Sequence, residues 1–245
     1  DRCYAPNAAS RILDEDGFIT NISNNYEKIS FNFGPTLLSW LQQKASGAYS
    51  GILEADKKSV LRFGGHGNAV AQVYNHIIMP LANRRDKETQ IVWGIKDFEK
   101  RFARKPEGMW LAETAVDTKT LELLAENDIK FTILSPYQAK NIRPIGTSKW
   151  ENVEGGKVNP QRAYLCYLPS GQQISLFFYD GHLAKDVAFN NLLHSGKAFA
   201  DRLMESYTFP VCAAKEADRI RKESGNFSCK RHPFRPDLVR RMLGA

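Results

Sequence analysis

The chain has 245 residues, 42% of them hydrophobic and 25% charged, the balance of a globular protein that folds as one α/β domain or two small ones. That balance argues against disorder, and no run nears the roughly 18 apolar residues of a spanning helix, so no membrane partner is expected. The net charge of +7 invites nucleic acid, but nine Lys/Arg against four acids in residues 213–245 put five of those charges in one C-terminal segment without interleaved aromatics; no nucleic-acid partner is expected either.

In chain order, residues 28–33 (Lys-Ile-Ser-Phe-Asn-Phe) alternate apolar and polar side chains at period two, which predicts a strand closed by Gly34-Pro35. Pro35 suits a first helical position, and Leu37, Leu38, Trp40 and Leu41 follow at helical spacing. A second helix is predicted over residues 49–63, then the loop Gly64-Gly65-His66-Gly67 and a short strand over 68–72. That loop lacks the G-x-G-x-x-G pattern and the Lys-Ser/Thr pair of phosphate-binding loops. Residues 86–104 carry Ile91, Ile95, Phe98 and Phe102 at three- and four-residue steps, one face of a helix. Residues 107–113 form an apolar strand that ends on Glu113. A helix with Leu121, Leu123 and Leu124 ends near residue 128, and residues 129–134 make another strand closing at Ser135-Pro136-Tyr137.

Residues 139–163, with three glycines and two prolines, read as a long irregular excursion or hairpin region. The run 174–182 repeats the earlier plan, an apolar strand ending on Asp180 before His182. A helix over 189–207 follows. This alternation predicts an α/β fold with mostly parallel strands, closed or partly closed into a β/α barrel, with the polar strand ends on one rim. Cys3, Cys166, Cys212 and Cys229 form no C-x-x-C pair, which suits free thiols in a reducing cytosol. With no basic-then-apolar leader, a cytoplasmic protein is expected. The chain opens at Asp1 rather than Met and is read as a fragment.

A carboxylate at the end of a strand stands where α/β folds gather ligands and catalytic groups, although acids are also favoured in a first helical turn. Residues 110–113, Trp-Leu-Ala-Glu, resemble the Trp-Leu-x-Glu signature of the nucleophile region of glycoside hydrolase family 57. Residues 65–69 with 76–81 look like the second motif region of that family, and residues 4–8 and 25–35 resemble a poorly characterised bacterial branch. The resemblance covers about residues 4–202. It implies an incomplete (β/α)7-type barrel, a retaining mechanism on α-glucans, no cofactor, and Glu113 as nucleophile. Such a mechanism needs a second carboxylate, roughly 5–5.5 Å from the first, to protonate the leaving oxygen.

Two departures qualify this expectation. The His-Gln-Pro-like signature of the family's first strand is missing, and Asp-Gly-Glu, which carries the family's general acid, occurs nowhere in the chain. Beyond about residue 208 the resemblance is lost, so residues 1–207 are expected to form a partial barrel and 208–245 a basic tail. Asp180 is the candidate replacement acid; it equally suits a cleft-lining residue or a helix-start carboxylate. Losing a general acid costs about 10²–10⁴-fold in rate, so weak or absent activity is expected. His66 and His76 read either as hydrogen-bonding partners of sugar hydroxyls or as buried, satisfied histidines. His182, beside Asp180, is a further substrate-binding candidate. Trp110 is placed to stack on a sugar ring, while Trp40 and Trp93 are read as core.

Three functions follow: a retaining glycoside hydrolase or transglycosidase acting on α-glucans, a dead remnant that still holds an oligosaccharide, and a metal-dependent carbohydrate deacetylase. No H-x₃₋₅-H spacing supports a metal, and none is expected. A barrel lacking strands exposes its edges, so self-association is expected too.

Overall fold

The computed structural model describes residues 2–206, which divide into two compact units between Tyr179 and Asp180. In the first unit, α1 (Tyr4–Ala8) leads into a hairpin of β1 (Ser10–Leu13) and β2 (Ile19–Ser23). Asp14 closes its turn by accepting hydrogen bonds from the amides of Asp16 and Phe18. The helix α2 (Pro35–Lys44) starts on a proline whose fixed φ is already helical and whose missing N–H costs nothing in a first turn. Its buried side is Leu38 and Leu41, and α3 (Ser46–Arg62) buries Ile52, Ala55, Asp56 and Ser59.

The strands come next. β3 (Ala71–Gln72) pairs in parallel with β4 (Met109–Trp110), and β5 (Phe131–Leu134) pairs in parallel with β9 (Gln173–Phe178). Single parallel bridges, Phe31 to Ala69 and Gly108 to Phe131, join these pairs, so that residue 31, β3, β4, β5 and β9 lie side by side in chain order. The buried Thr132 hydroxyl donates to the Met109 carbonyl at 2.8 Å and stitches β5 to β4 where the ladder is thinnest. Between β5 and β9 the excursion forms a small antiparallel pair, β6 (Asn141–Ile142) with β7 (Glu151–Asn152). β8 (Tyr164–Tyr167) then runs antiparallel beside β9 and ends the row.

Two helices of this unit pack on the row. α4 (Arg84–Phe102) is capped by Asn83, which accepts from the Asp86 amide at 3.0 Å, and carries Lys100 and Arg101 in its last turn, where the helix dipole favours cations. Its buried stripe is Lys87, Ile91, Gly94 and Phe98. A Cβ at Gly94 would collide with the backbone carbonyl of Gln72, so the absent side chain is what lets α4 approach β3 this closely. α5 (Thr118–Glu126) buries Leu121, Leu123 and Leu124.

A buried ionic knot ties the start of β3 to both long helices. Asp56 of α3 accepts the Ala69 amide at 2.7 Å and two guanidinium nitrogens of Arg104 at 2.8 and 2.9 Å. Arg104, just beyond α4, also donates to the Ala69 carbonyl at 2.8 Å and lies over the Phe98 ring. Every charge in the knot is paired, so deleting either partner would strand a buried ion, at a cost of about 3–5 kcal/mol.

In the second unit, α6 (Gly181–Phe189) and α7 (Gly196–Ser206) are tied by Arg202 Nε donating to Asp186 at 3.0 Å. Hydrogen bonds from Asn190 and Arg202 outweigh burial and hold the Asp186 carboxyl below the usual range.

Several expectations are corrected. Strand pairing is mixed rather than mostly parallel: among the named strands of the described residues, two pairs are parallel and three antiparallel. The strand expected over 28–33 is reduced to one bridge at Phe31, which pairs on one side only, with Ala69; Phe31 and Phe33 still share a face, as the period-two alternation requires, and pack there against the Tyr26 ring. The helix expected over 189–207 starts only at Gly196, as α7: α6, over residues read as following a strand end, stops at Phe189, and Asn191 takes a left-handed φ of 52° before a short 3-10 turn at Leu192–His194; asparagine tolerates that conformation better than most residues. Trp40 and Trp93 are 53% and 52% exposed, not core, because each lies off the buried stripe of its helix. The tail expected over 208–245, with Cys212 and Cys229, lies outside the described residues. Cys3 and Cys166 are free thiols. No helix of the described residues is long and apolar enough to cross a membrane.

Candidate active site

Parallel pairing fixes where neighbouring strands deliver the residues that follow them. Ala71 stands opposite Met109 and Gln72 opposite Trp110. β3 therefore runs out through Val73, Tyr74 and Asn75 to His76, while β4 runs out through Leu111 and Ala112 to Glu113. Met109, Leu111 and Ala112 are buried and Trp110 is half-buried; Glu113 is the first fully exposed side chain beyond the strand. His76 Nε2 lies 3.1 Å from Glu113 Oε1, so the tautomer protonated at Nε2 donates to the carboxylate. The two side chains are 64% and 72% exposed. A pair this open to water adds little stability, and its effect is to orient the carboxylate.

The backbone beneath that carboxylate is strained. Glu113 and Thr114 have φ values of 55° and 54°, consecutive left-handed residues that each carry a Cβ. Each costs about 1–2 kcal/mol and persists only where the surroundings impose it. Here the Thr114 and Ala115 amides donate to the Leu111 and Ala112 carbonyls at 3.0 Å, and Gln138 Nε2 donates to the Thr114 carbonyl at 2.9 Å. Gln138 is itself held, accepting from the Ser135 amide at 2.8 Å in a capping box at the end of β5.

On the far side of the turn, Asp117 caps α5 by accepting from the Thr120 amide at 2.8 Å, and receives Lys87 Nζ at 2.5 Å. The Lys87 side chain is 2% exposed. Burial pushes the Asp117 carboxyl up, but hydrogen bonds from Lys87 and Thr120, with the charge of Lys87, outweigh it and hold the group below the usual carboxylate range. The strained turn is thus clamped at Thr114 by Gln138 and anchored downstream by Lys87.

The other predicted site residues are placed as follows. His66 meets Glu107, Nδ1 to Oε1 at 2.7 Å, on residues that precede β3 and β4, so it stands at the amino ends of the strands whose carboxyl ends carry His76 and Glu113. Trp110 lies within β4 itself. Asp180, two residues beyond β9, belongs to the second unit, where its Oδ1 accepts the His182 and Leu183 amides at 3.0 Å and starts α6. His182 is exposed in the first turn of that helix. Among the described residues no three His, Cys, Asp or Glu side chains form a group able to hold a metal ion.

Lys87 and Gln138 were not visible as site residues in the sequence, although each left a trace. Lys87 falls in step with Ile91 and Phe98 on the buried stripe of α4, where a lysine demands a partner. Gln138 completes the Ser-x-x-Gln spacing of a capping box.

A family model described as Glycosyl hydrolase family 57 matches residues 10–227. Among solved structures, the chain is similar to an exo-type maltose-forming amylase from Pyrococcus sp. ST04, at 21% identity and a TM-score of 0.57 over 78% of this chain and 28% of that one. It is also similar to a 4-α-glucanotransferase from Thermococcus litoralis (18% identity, TM-score 0.48, 69% and 24% of the two chains). A third is an α-amylase from Thermotoga maritima (22%, 0.43, 62% and 26%). At such identities the likeness is one of fold. The chain spans about a quarter of the length of these three. No curated protein matches it.

Two outcomes follow from the geometry. Glu113→Gly relieves a left-handed residue and gives up only an exposed pair, so it is expected to leave stability unchanged or raise it by up to about 1 kcal/mol in urea denaturation; a loss larger than that would make Glu113 a structural residue. Asp117→Asn keeps an N-cap acceptor but removes the charge facing buried Lys87, and is expected to cost about 2–3 kcal/mol, less than for a fully buried pair because Asp117 still reaches water. Because the Asp117 carboxyl is lowered in the folded state, its contribution is fully present above the unfolded value of about 4 and is lost as pH falls through the lower folded value. The parent is therefore expected to lose stability more steeply than Asp117→Asn below about pH 4.

Proposed function

The chain belongs to glycosyl hydrolase family 57, and from that premise we propose that it carries the nucleophile half of a retaining active site for α-glucans, with Glu113 as the attacking carboxylate. The observation that supports this reading is the placement of Glu113: exposed at the carboxyl end of a parallel strand, on two consecutive strained residues, and hydrogen-bonded by His76 from the neighbouring strand. Strain of this kind is kept where a side chain must be aimed, and it collects at sites of chemistry. The choice of α-glucan rests on family membership and on the fold shared with an enzyme named for forming maltose. On the same premise, the parallel row from residue 31 to β9 is part of an incomplete (β/α)7-type barrel.

In the proposed reaction His76 holds one carboxylate oxygen, leaving Oε2 to attack the anomeric carbon. The bond from that carbon to the leaving oxygen breaks with its electron pair going to the oxygen, which then takes a proton. A covalent glycosyl ester on Glu113 results, and water or a sugar hydroxyl displaces it in the second step. Asp180 is the acid candidate read from the sequence; in the second unit its Oδ1 is engaged as the cap of α6. Absence of an Asp-Gly-Glu sequence supports a second reading, in which the chain binds an oligosaccharide without turning it over.

A donor with fluoride as leaving group needs no general acid and so isolates the nucleophile. Incubation with a 5-fluoro-α-glucosyl fluoride is expected to add one fluoroglucosyl mass to the parent chain and none to Glu113→Gln, read by intact-protein mass spectrometry. Absence of an adduct on both would reject Glu113 as nucleophile and leave the binding reading.

A further inference from the structure

Beside the candidate site, within the first unit, an open groove of about 490 Å³ runs from the first turn of α2 to the residues that follow β3. Its walls are Leu37 and Trp40 on one side and Gln72, Tyr74, Asn75 and His76 on the other. That size is typical of a ligand cleft. His76 is common to this groove and to the Glu113 pair, so the groove ends at the residue that holds the candidate nucleophile.

Its chemistry narrows the occupant. No Lys, Arg, Asp or Glu lines it, in a chain of net charge +7, so it offers nothing to a charged peptide or a phosphate backbone. Two aromatic rings stand open to water instead: Trp40 at 53% and Tyr74 at 36% exposure. The Tyr74 ring is fixed by an edge-on contact with Trp93 at 5.5 Å and 85°. The polar groups between the rings are amides. Gln72 Oε1 accepts from Asn32 at 2.8 Å, which leaves Gln72 Nε2 without a partner among the described residues, as are the Asn75 side chain and the Tyr74 hydroxyl. Flat apolar faces alternating with neutral donors and acceptors match a pyranose, whose ring face is a layer of C–H groups and whose rim is hydroxyls.

We propose that this groove is a subsite for a neutral glucan chain, holding the sugars adjacent to the one placed at Glu113, with Trp40 as its stacking platform. In naming the ligand this rests on the α-glucan reading above. The loss of Trp40 leaves the core intact, since its ring is exposed, and circular dichroism checks that the variants fold.

The test is calorimetric titration of the full chain with maltoheptaose, comparing the parent with Trp40→Ala, Trp40→Phe and Tyr74→Ala. Saturable binding by the parent is expected, about five- to tenfold weaker in Trp40→Ala, partly restored in Trp40→Phe and weakened in Tyr74→Ala. Equal affinity in the parent and Trp40→Ala, or no binding by the parent, overturns the proposal. So does a dimer of the parent that Trp40→Ala dissociates without any binding of sugar, which would assign the groove to a second copy of the chain. The two readings fail separately: Trp40-dependent binding without an adduct on Glu113 keeps the groove and removes the nucleophile, and an adduct without an effect of Trp40 does the reverse.

Discussion

The buried contact between Asp56 and Arg104 sets the position of everything that follows it. By gripping both the amide and the carbonyl of Ala69, the pair fixes where β3 begins against α3 and the end of α4. β3 is only two residues long and could not hold its own register by ladder hydrogen bonds alone. Once Ala71 is placed opposite Met109, chain geometry carries His76 and Glu113 to a distance of 3.1 Å. The same constraint orders the groove, because Gln72, Tyr74, Asn75 and His76 leave β3 in that register and face the first turn of α2. A one-residue slip in β3 would turn each of these side chains to the other face.

Stability and presentation are divided between different residues. The core under the site is apolar and closed, with Met109, Leu111, Leu123 and Leu124 fully buried. The turn above it is polar and strained, and its left-handed residues are held by Gln138, by Asp117 with Lys87, and by the two carbonyls at the end of β4. The Glu113 side chain itself adds nothing to packing, since it points into water, while its neighbours Ala112 and Thr114 are buried beneath it. The arrangement spends core stability on aiming one carboxylate, the pattern expected where a side chain is kept for what it does.

Much of this was legible in the sequence. The apolar stripe of α4, the proline start of α2 and the apolar strand ending on Asp180 follow directly from periodicity and turn chemistry, and the Trp-Leu-Ala-Glu run marked Glu113 by its motif. What was not legible depended on partners distant in the chain. The alternation in residues 28–33 placed Phe31 and Phe33 on one face, where both meet Tyr26, but how far the segment pairs depended on its neighbour around Ala69, 38 residues away, which takes up only Phe31. His66 and His76 look alike in sequence, and only strand direction separates the amino-end residue paired with Glu107 from the carboxyl-end residue paired with Glu113. Trp40 and Trp93 read as core because tryptophan usually is; their exposure became meaningful once a groove was found beside Trp40 and a fixed tyrosine beside Trp93.

On the proposed reading, the register of β3 and β4 assembles one continuous surface, in which Glu113 addresses a sugar and the groove holds its neighbours. A crystal structure of the Glu113→Gln variant soaked with maltoheptaose tests it most directly. A sugar ring is expected with its anomeric carbon facing residue 113 within reach of His76, and further rings passing over Trp40. Sugar bound at another face of the first unit, or chain density over Trp40 that leads away from residue 113, would contradict it.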